Sequence, residues 1–467
     1  MLSQKESRAE IKKRERAFLD EERKKHPELF ELGTFIEDPK VLKDVGIQIP
    51  GQESFPLGYL KLWPQDFIVE EVDREGRVVS AKKESDGFAA PMEGTGTVYA
   101  TLVKQNYSTI EAVKELSILI GCEEDKIQYA GIKDKDALTA QRISFRGIPI
   151  DKVRAVSSPH FFLKDISEGS GVLDRGALQA NRFTIFVRTP ELVDEVALGK
   201  QVETLQQNGF YNFHYLQRFS TPRLQNYIYG ASIIRGEYKK AILQYLKITG
   251  GREMQYFREI REDMEIYGDD WKKIQELIEH LPLSFETENQ LVDYLLTYPD
   301  DYRGALRSIK EQVTLWVYGV SSRLYNQLLS SYLLEGKEPP EKLPLFLSRN
   351  PRDFEPYQKF LRQEGLYPPP FDNLRDFPFI QLRQREVETK LKVSIESWKV
   401  VKGGVGLRFT LPKGAYATTF LSHLFQLATG LPPENIFKNN VDVCEVLDGK
   451  TNSALPYFEA VTEAKGE

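Results

Sequence analysis

The chain has 467 residues, a formal net charge of −6, and 41% hydrophobic, 28% charged and 11% aromatic residues. That predicts two or three domains with a sizeable core and excludes a wholly disordered chain, while 25 prolines and 32 glycines without a short period exclude collagen-like and low-complexity classes. No apolar run long enough for a membrane span or signal peptide is expected to form one. The two cysteines, Cys122 and Cys444, and five scattered histidines give neither a disulfide framework nor zinc-ligand spacing, so a cytoplasmic protein without a classical zinc site is expected.

Residues 1–30 read as an exposed, charged helix. Ser7 and Glu10 sit in capping-box spacing, and His26-Pro27 predicts the stop. Its apolar face is thin, which predicts an appendage or a protein-partner-binding arm rather than core, within an N-terminal extension over residues 1–50. Gly51–Glu71 opens the first domain, with Phe67-Ile68-Val69 strand-like and Thr97–Val103 a second strand. Ser108 and Glu111 cap a helix that carries Ile110, Val113, Leu116 and Ile120 on one face and stops at Gly121.

A short strand at Ile127–Tyr129, a polar loop and a strand at Gln141–Phe145 follow. Over Arg182–Arg188 the alternation puts Phe183, Ile185 and Val187 on one face and Arg182, Thr184 and Phe186 on the other. From about residue 212 to 375 the pattern is mainly helical. Strands return at Lys390–Val401 and Val405–Leu411, then a helix is predicted over Ala417–Ala428, ending at Gly430. This order predicts an α+β domain at 51–211 and 376–467, interrupted by a largely helical insertion at 212–375.

The acidity is local. Residues 257–300 carry twelve acids and four bases, a balance of −8, which leaves +2 for the remainder. Residues 211–240 carry five bases against one acid, and 131–154 six against three. Basic stretches therefore stand available to phosphates, with ordinary solvated surface charge as the competing reading. Aromatic and basic residues interleave over Tyr211–Tyr238 (Phe213, Tyr215, Arg218, Phe219, Arg223), as a grip on RNA requires.

The segment with most chemistry is Tyr129-Ala-Gly-Ile-Lys-Asp-Lys-Asp-Ala-Leu-Thr-Ala-Gln-Arg142, a polar turn between two strands. Lys133 and Lys135 flank Asp134 and would hold it ionised; a positioned carboxylate serves as nucleophile, base or electrostatic stabiliser. On residue chemistry alone, a salt-bridged surface turn is the competing reading.

The pattern Gly131-x-Lys133-Asp134-x-x-Ala137-x-Thr139-x-Gln141 resembles the signature loop of the TruD family of tRNA pseudouridine synthases. Four further segments resemble that family's blocks in its order. They are Lys61-Leu-Trp-Pro64-Gln-Asp66-Phe67-Ile-Val69-Glu-Glu71; Asn181-Arg182-Phe183; Gln217-Arg218-Phe219 with Gly230 and Arg235-Gly236; and Leu411-Pro412-x-Gly414-x-Tyr416-Ala417-Thr418. One departure is that Tyr215 and Ser220 stand where the family usually has glycines around its Gln-Arg-Phe.

The resemblance implies a pseudouridine synthase fold: a mixed, mainly antiparallel sheet with an inserted, helical TRUD domain. It implies a monomeric enzyme, free of cofactor and metal, that isomerises a uridine of RNA, typically uridine 13 of tRNA, with Asp134 as the catalytic carboxylate. Lys61 and Lys133 would balance charge or bind phosphate. Phe67, Phe183 and Tyr416 would stack on bases, Asn181 would read the uracil edge, and Arg142 and Arg218 would contact the RNA backbone. Without the family, Phe67 and Phe183 read as core, Tyr416 as a helix staple and Asn181 as a turn former.

Two rivals stand beside this. Asp134-x-Asp136 before Thr139 has the look of a Mg²⁺-dependent carboxylate phosphotransferase loop, but its lead-in strand is only partly apolar and Thr139 lies one residue too late. The other is a non-catalytic RNA-binding protein that keeps the fold.

Overall fold

A computed structural model of the chain describes residues 8–465, so the proposed cap at Ser7 lies outside the described residues. The chain divides into two compact units. One comprises residues up to 33, Pro39–Pro50 and Phe213–Thr389; the other comprises Thr34–Asp38, Gly51–Asn212 and the chain from Lys390 onward.

The second unit is built on one eleven-stranded sheet. Its strands are β1 (Thr34–Ile36), β2 (Leu57–Tyr59), β3 (Phe67–Val72), β4 (Thr97–Gln105), β5 (Ile127–Tyr129), β6 (Leu138–Arg146), β7 (Phe161–Gly169), β8 (Ala180–Arg188), β9 (Ser394–Val401), β10 (Gly404–Pro412) and β11 (Gln426–Gly430). The main order is β1-β11-β2-β8-β3-β6-β4-β7, with β10 also on β8, β9 on β10, and β5 on β6. Only β2–β11 and β3–β6 run parallel, so the sheet is mixed and mainly antiparallel, as the resemblance implied.

One face of the sheet buries Ile68, Val103, Leu138, Ala140 and Phe186 against the C-terminal segment. The other buries Leu102, Ile143 and Phe145 under the helix Thr109–Ile120. That helix forms where its local signals put it. Ser108 accepts from the Glu111 N–H, Glu111 answers from its side chain, and Gly121 closes the end at φ 74°. Such a capping box is worth about 1 kcal/mol and fixes where the helix begins.

The predicted helix Ala417–Ala428 ends at Leu421, and Gln426–Gly430 is β11. Gln426, Leu427 and Ala428 face Leu57, Gly58 and Tyr59 in register, so strand pairing overrides the helical pattern there. Lys390–Val401 likewise splits, because Lys390 and Leu391 pair with Tyr211 and Phe210 before β9 starts.

The first unit is helical. Helices Asn226–Ile234 and Lys310–Leu334 pack closely in it, and a Cβ on Gly230 would sit 2.1 Å from the Trp316 carbonyl oxygen. Gly230, one of the family-like positions, is thus a packing requirement. The charged helix Arg8–Lys25 belongs to this unit and is no free appendage. Glu15 is 5% exposed, and its carboxylate accepts the backbone N–H groups of Leu283 and Ser284. Phe30, just beyond it, stacks on Tyr256 at 4.6 Å. The unit extends to Thr389 rather than 375, since Glu386–Glu388 pairs with Lys342–Pro344 inside it. No helix among the described residues is long and apolar enough to cross a membrane.

Candidate active site

The four central strands β8, β3, β6 and β4 put Phe183, Val69, Thr139 and Lys104 in one row, each opposite the next. Strand alternation then brings Asn181, Phe67, Glu71 and Gln141 to that same face. The loop from β5 to β6 is tied to this surface. Gln141 donates from Nε2 to the Gly131 carbonyl at 2.9 Å and accepts from Thr109 Oγ1, also at 2.9 Å. Thr109 Oγ1 in turn accepts the Lys133 N–H at 3.0 Å. The first residue of the capped helix therefore holds the loop.

Within the loop, adjacent side chains diverge. Lys133 turns inward, with its Nζ 3.2 Å from Glu71 Oε2 and donating to Asn181 Oδ1 at 2.8 Å. Burial raises the Glu71 pKa, and the Lys133 ammonium opposes that rise. Ala137, Thr139 and Gln141 are fully buried. Asp134 turns outward with half its side chain exposed.

The flanking lysines do not pair with Asp134, contrary to expectation: Lys133 is held by Glu71, and Lys135 Nζ lies 3.1 Å from Glu111. The cation facing the Asp134 carboxylate is Lys61, with Nζ 3.7 Å from Oδ2 and 4.2 Å above the centre of the Phe67 ring. Lys61 adopts φ 60°, a left-handed backbone rare for a residue with a Cβ, and strain of this kind concentrates at functional sites. Beneath the loop, fully buried Lys104 donates to the Asp134 carbonyl oxygen at 2.7 Å, and burial lowers its pKa to about 7.

Phe67 and Phe183 are buried, meeting edge-on at 6.1 Å, and Phe183 stacks on Phe409 at 5.4 Å. Tyr416 is 53% exposed in the turn after β10, whose Leu411 lies opposite Asn181.

Arg142 is a correction. It alternates to the face opposite Thr139 and Gln141, where its guanidinium donates to Thr101 Oγ1 and to the carbonyls of Ala89 and Asp165. Burial lowers its pKa to about 10. It braces the sheet and cannot reach an RNA backbone from there. Arg218 belongs to the helical unit, where its Nε donates to Ser322 Oγ at 3.1 Å. Most of the basic stretch around it is internally paired: Arg223 with Glu288, Arg235 and Lys240 with Glu237, and Lys239 with Asp269.

Sequence reasoning missed Lys104 because its strand ended at Val103. The signal was present, since Ala100, Leu102 and Lys104 continue one inward-facing alternation.

Comparison with known proteins gives the chain relatives. A probable tRNA pseudouridine synthase D of Methanosarcina barkeri is 27% identical over 304 residues, 64% of this chain. One from Methanocaldococcus jannaschii is 28% identical over 297 residues, covering 62% of this chain and 72% of that one. The chain spans 65% of the Methanosarcina barkeri relative and 64% of one from Methanosarcina mazei, in each case less than two thirds. In fold, a solved Methanosarcina mazei chain described as a TruD superposes with a TM-score of 0.66 at 24% identity, covering 83% of this chain and 98% of that one. The family model for tRNA pseudouridine synthase D (TruD) runs from residue 54 to residue 342, well over half of the 467 residues, and the chain belongs to that family.

Proposed function

We propose that this chain is an RNA pseudouridine synthase that isomerises one uridine of tRNA, uridine 13, with Asp134 as the catalytic carboxylate. It works in the cytoplasm as a monomer, without cofactor or metal. The sheet unit is the catalytic domain, and residues 213–389 are the inserted domain that helps to grip RNA.

One observation carries this reading. In a motif whose Lys133, Ala137, Thr139 and Gln141 are all buried, the Asp134 carboxylate is presented outward with Lys61 3.7 Å away, and of the two exposed loop carboxylates, Asp134 and Asp136, it is the one that faces this lysine. Breaking the N-glycosidic bond develops positive charge at C1′, which such a carboxylate stabilises or captures. The detached uracil then turns and rejoins through C5, and the C5 hydrogen leaves. For this the nucleotide must be unstacked and held by its edge and flank. Asn181 supplies the edge contact: its Oδ1 is fixed by Lys133, which leaves its amide N–H groups for a uracil carbonyl. Exposed Tyr416 and the rim of Phe183 supply the flank.

Lys61 neutralises the carboxylate between turnovers, and Lys104 sets the height of the Asp134 backbone. The test is tritium release from tRNA carrying 5-tritiated uridine, wild type against Asp134→Ala. Release by the wild type that vanishes in the variant supports the reading; no release from any tRNA pool, or equal release by both, refutes it.

A further inference from the structure

The helical unit holds a small cavity with an electrostatic character unlike the paired surface around it. It encloses about 40 Å³, and its walls include Arg218, Arg383, Arg385, Ser321, Ser322 and His214, with no acidic residue among those that line it. None of the three arginines forms an ion pair with a carboxylate among the described residues. Elsewhere in this unit Arg223, Arg235, Arg261, Arg303, Arg307 and Arg323 each face one. Three arginines lining one concavity with no carboxylate among its walls leave positive charge that suits an anion.

Two polar atoms on the same wall have no partner. Ser321 is 4% exposed and its Oγ makes no hydrogen bond, and the buried Nε2 of His214 is also unpartnered. Burial and the neighbouring Arg218 push the His214 pKa down to about 3, so the ring is neutral and acts by hydrogen bonding alone. A buried polar atom left unpaired costs roughly 1–3 kcal/mol, so orphans at a cavity wall mark where a ligand atom belongs. The volume sets the size of that ligand. At 10–15 Å³ for each oxygen-sized atom there is room for about three, which suits the oxygens of a phosphate and excludes a nucleobase.

We infer that this cavity is a phosphate-binding site that clamps one phosphodiester of the RNA backbone through Arg218, Arg383 and Arg385, with Ser321 and His214 fixing the phosphate oxygens. The RNA source rests on the proposed function; the anion chemistry does not. Arg383 and Arg385 are exposed at the rim, where a continuous polymer has access. Planar, forked donors suit bidentate phosphate contact.

The test measures tRNA affinity of the full chain at several salt concentrations for wild type, Arg383→Gln/Arg385→Gln and Ser321→Ala. The double variant is expected to raise Kd roughly tenfold near 0.15 M salt and to flatten the log–log salt slope by about 1–2. Ser321→Ala is expected to raise Kd several-fold without lowering Tm, since removing an unpaired hydroxyl does not weaken a fold.

Unchanged Kd and slope in the double variant overturn the inference. So does a result in which inorganic phosphate raises the wild-type Tm but not that of the double variant while RNA affinity is the same for both, because the site then serves a small free anion. A wild type that releases no tritium but loses RNA affinity in these variants removes the proposed activity and leaves this site standing. Tritium release with variant-insensitive binding removes this site alone.

Discussion

Lys61, Lys104 and Lys133 in the sheet unit and Arg218, Arg383 and Arg385 in the helical unit are both trios of cations, assembled on opposite terms. Each lysine has a separate appointment: Lys61 faces the Asp134 carboxylate, Lys104 its backbone carbonyl, and Lys133 the buried Glu71. Two of the three lysines there face a carboxylate, and each fixes a different atom. The arginines share one concavity with no acid in it. On the proposed roles, the contrast separates two electrostatic jobs. A reacting carboxylate needs a field that is fixed before substrate arrives, whereas a backbone grip needs positive charge left over for the substrate to neutralise.

Asp134→Asn tests the first job most severely. It is expected to lower kcat by at least about 10³-fold while tRNA affinity changes little, since its side chain holds no part of the loop; single-turnover kinetics and a binding isotherm measure the two. Retained isomerisation would dissolve the contrast.

Lys104→Met is expected to lower kcat by about 10²-fold through a displaced Asp134 backbone, with KM little changed. The same change is expected to raise Tm near pH 6.5 more than near pH 9.5. The sign follows from linkage: burial lowers the folded-state pKa of Lys104 to about 7, well below its ordinary 10.5. The unfolded chain therefore binds the extra proton between those values, and wild-type stability rises as pH rises through that window. The penalty that methionine removes is largest at and below about pH 7. Melting curves at the two pH values check it.

Gly230→Ala acts on the other trio. Forcing a methyl group toward the Trp316 carbonyl is expected to destabilise the chain by about 1–3 kcal/mol and to shift the helix that carries Ser321 and Ser322. Denaturant melts report the first effect, and a rise in KM larger than any fall in kcat reports the second.

Ser220→Gly should do least. Ser220 sits at φ 60° directly after the short turn Leu216–Phe219 that carries Arg218, in the region the family's usual glycine takes without strain. Glycine there is expected to stabilise by less than about 1 kcal/mol with kcat and KM unchanged, as read by Tm and steady-state rates.

What was legible in the sequence is what short-range physics decides. The Ser108 cap, the Gly121 stop and the two faces of Arg182–Arg188 follow from neighbours a few residues away, and all three are in the structure. Arg182 turns away from Phe183 and pairs with Glu70 at 2.7 Å. The predicted helix to Ala428 gave way because β2 and β1 claim that segment from hundreds of residues upstream. At the site, charge was read along the chain rather than by face. That made Lys133 and Lys135 neighbours of the Asp134 carboxylate in sequence only, and it credited Arg142 with reaching RNA although one residue of alternation from Gln141 turns it to the opposite side.

The signature loop divides its labour: Lys133, Ala137, Thr139 and Gln141 are buried and hold its shape, while the residue proposed to react, Asp134, faces outward. A single nucleotide substitution that turns an aspartate codon into an asparagine codon at position 134 would leave the loop latch, the sheet and the arginine cavity untouched. On the proposed mechanism, the gene for this chain lies one step from encoding a folded, RNA-holding, unreactive protein. If the proposed function holds, selection for modified RNA and selection for RNA handling can act on this chain separately.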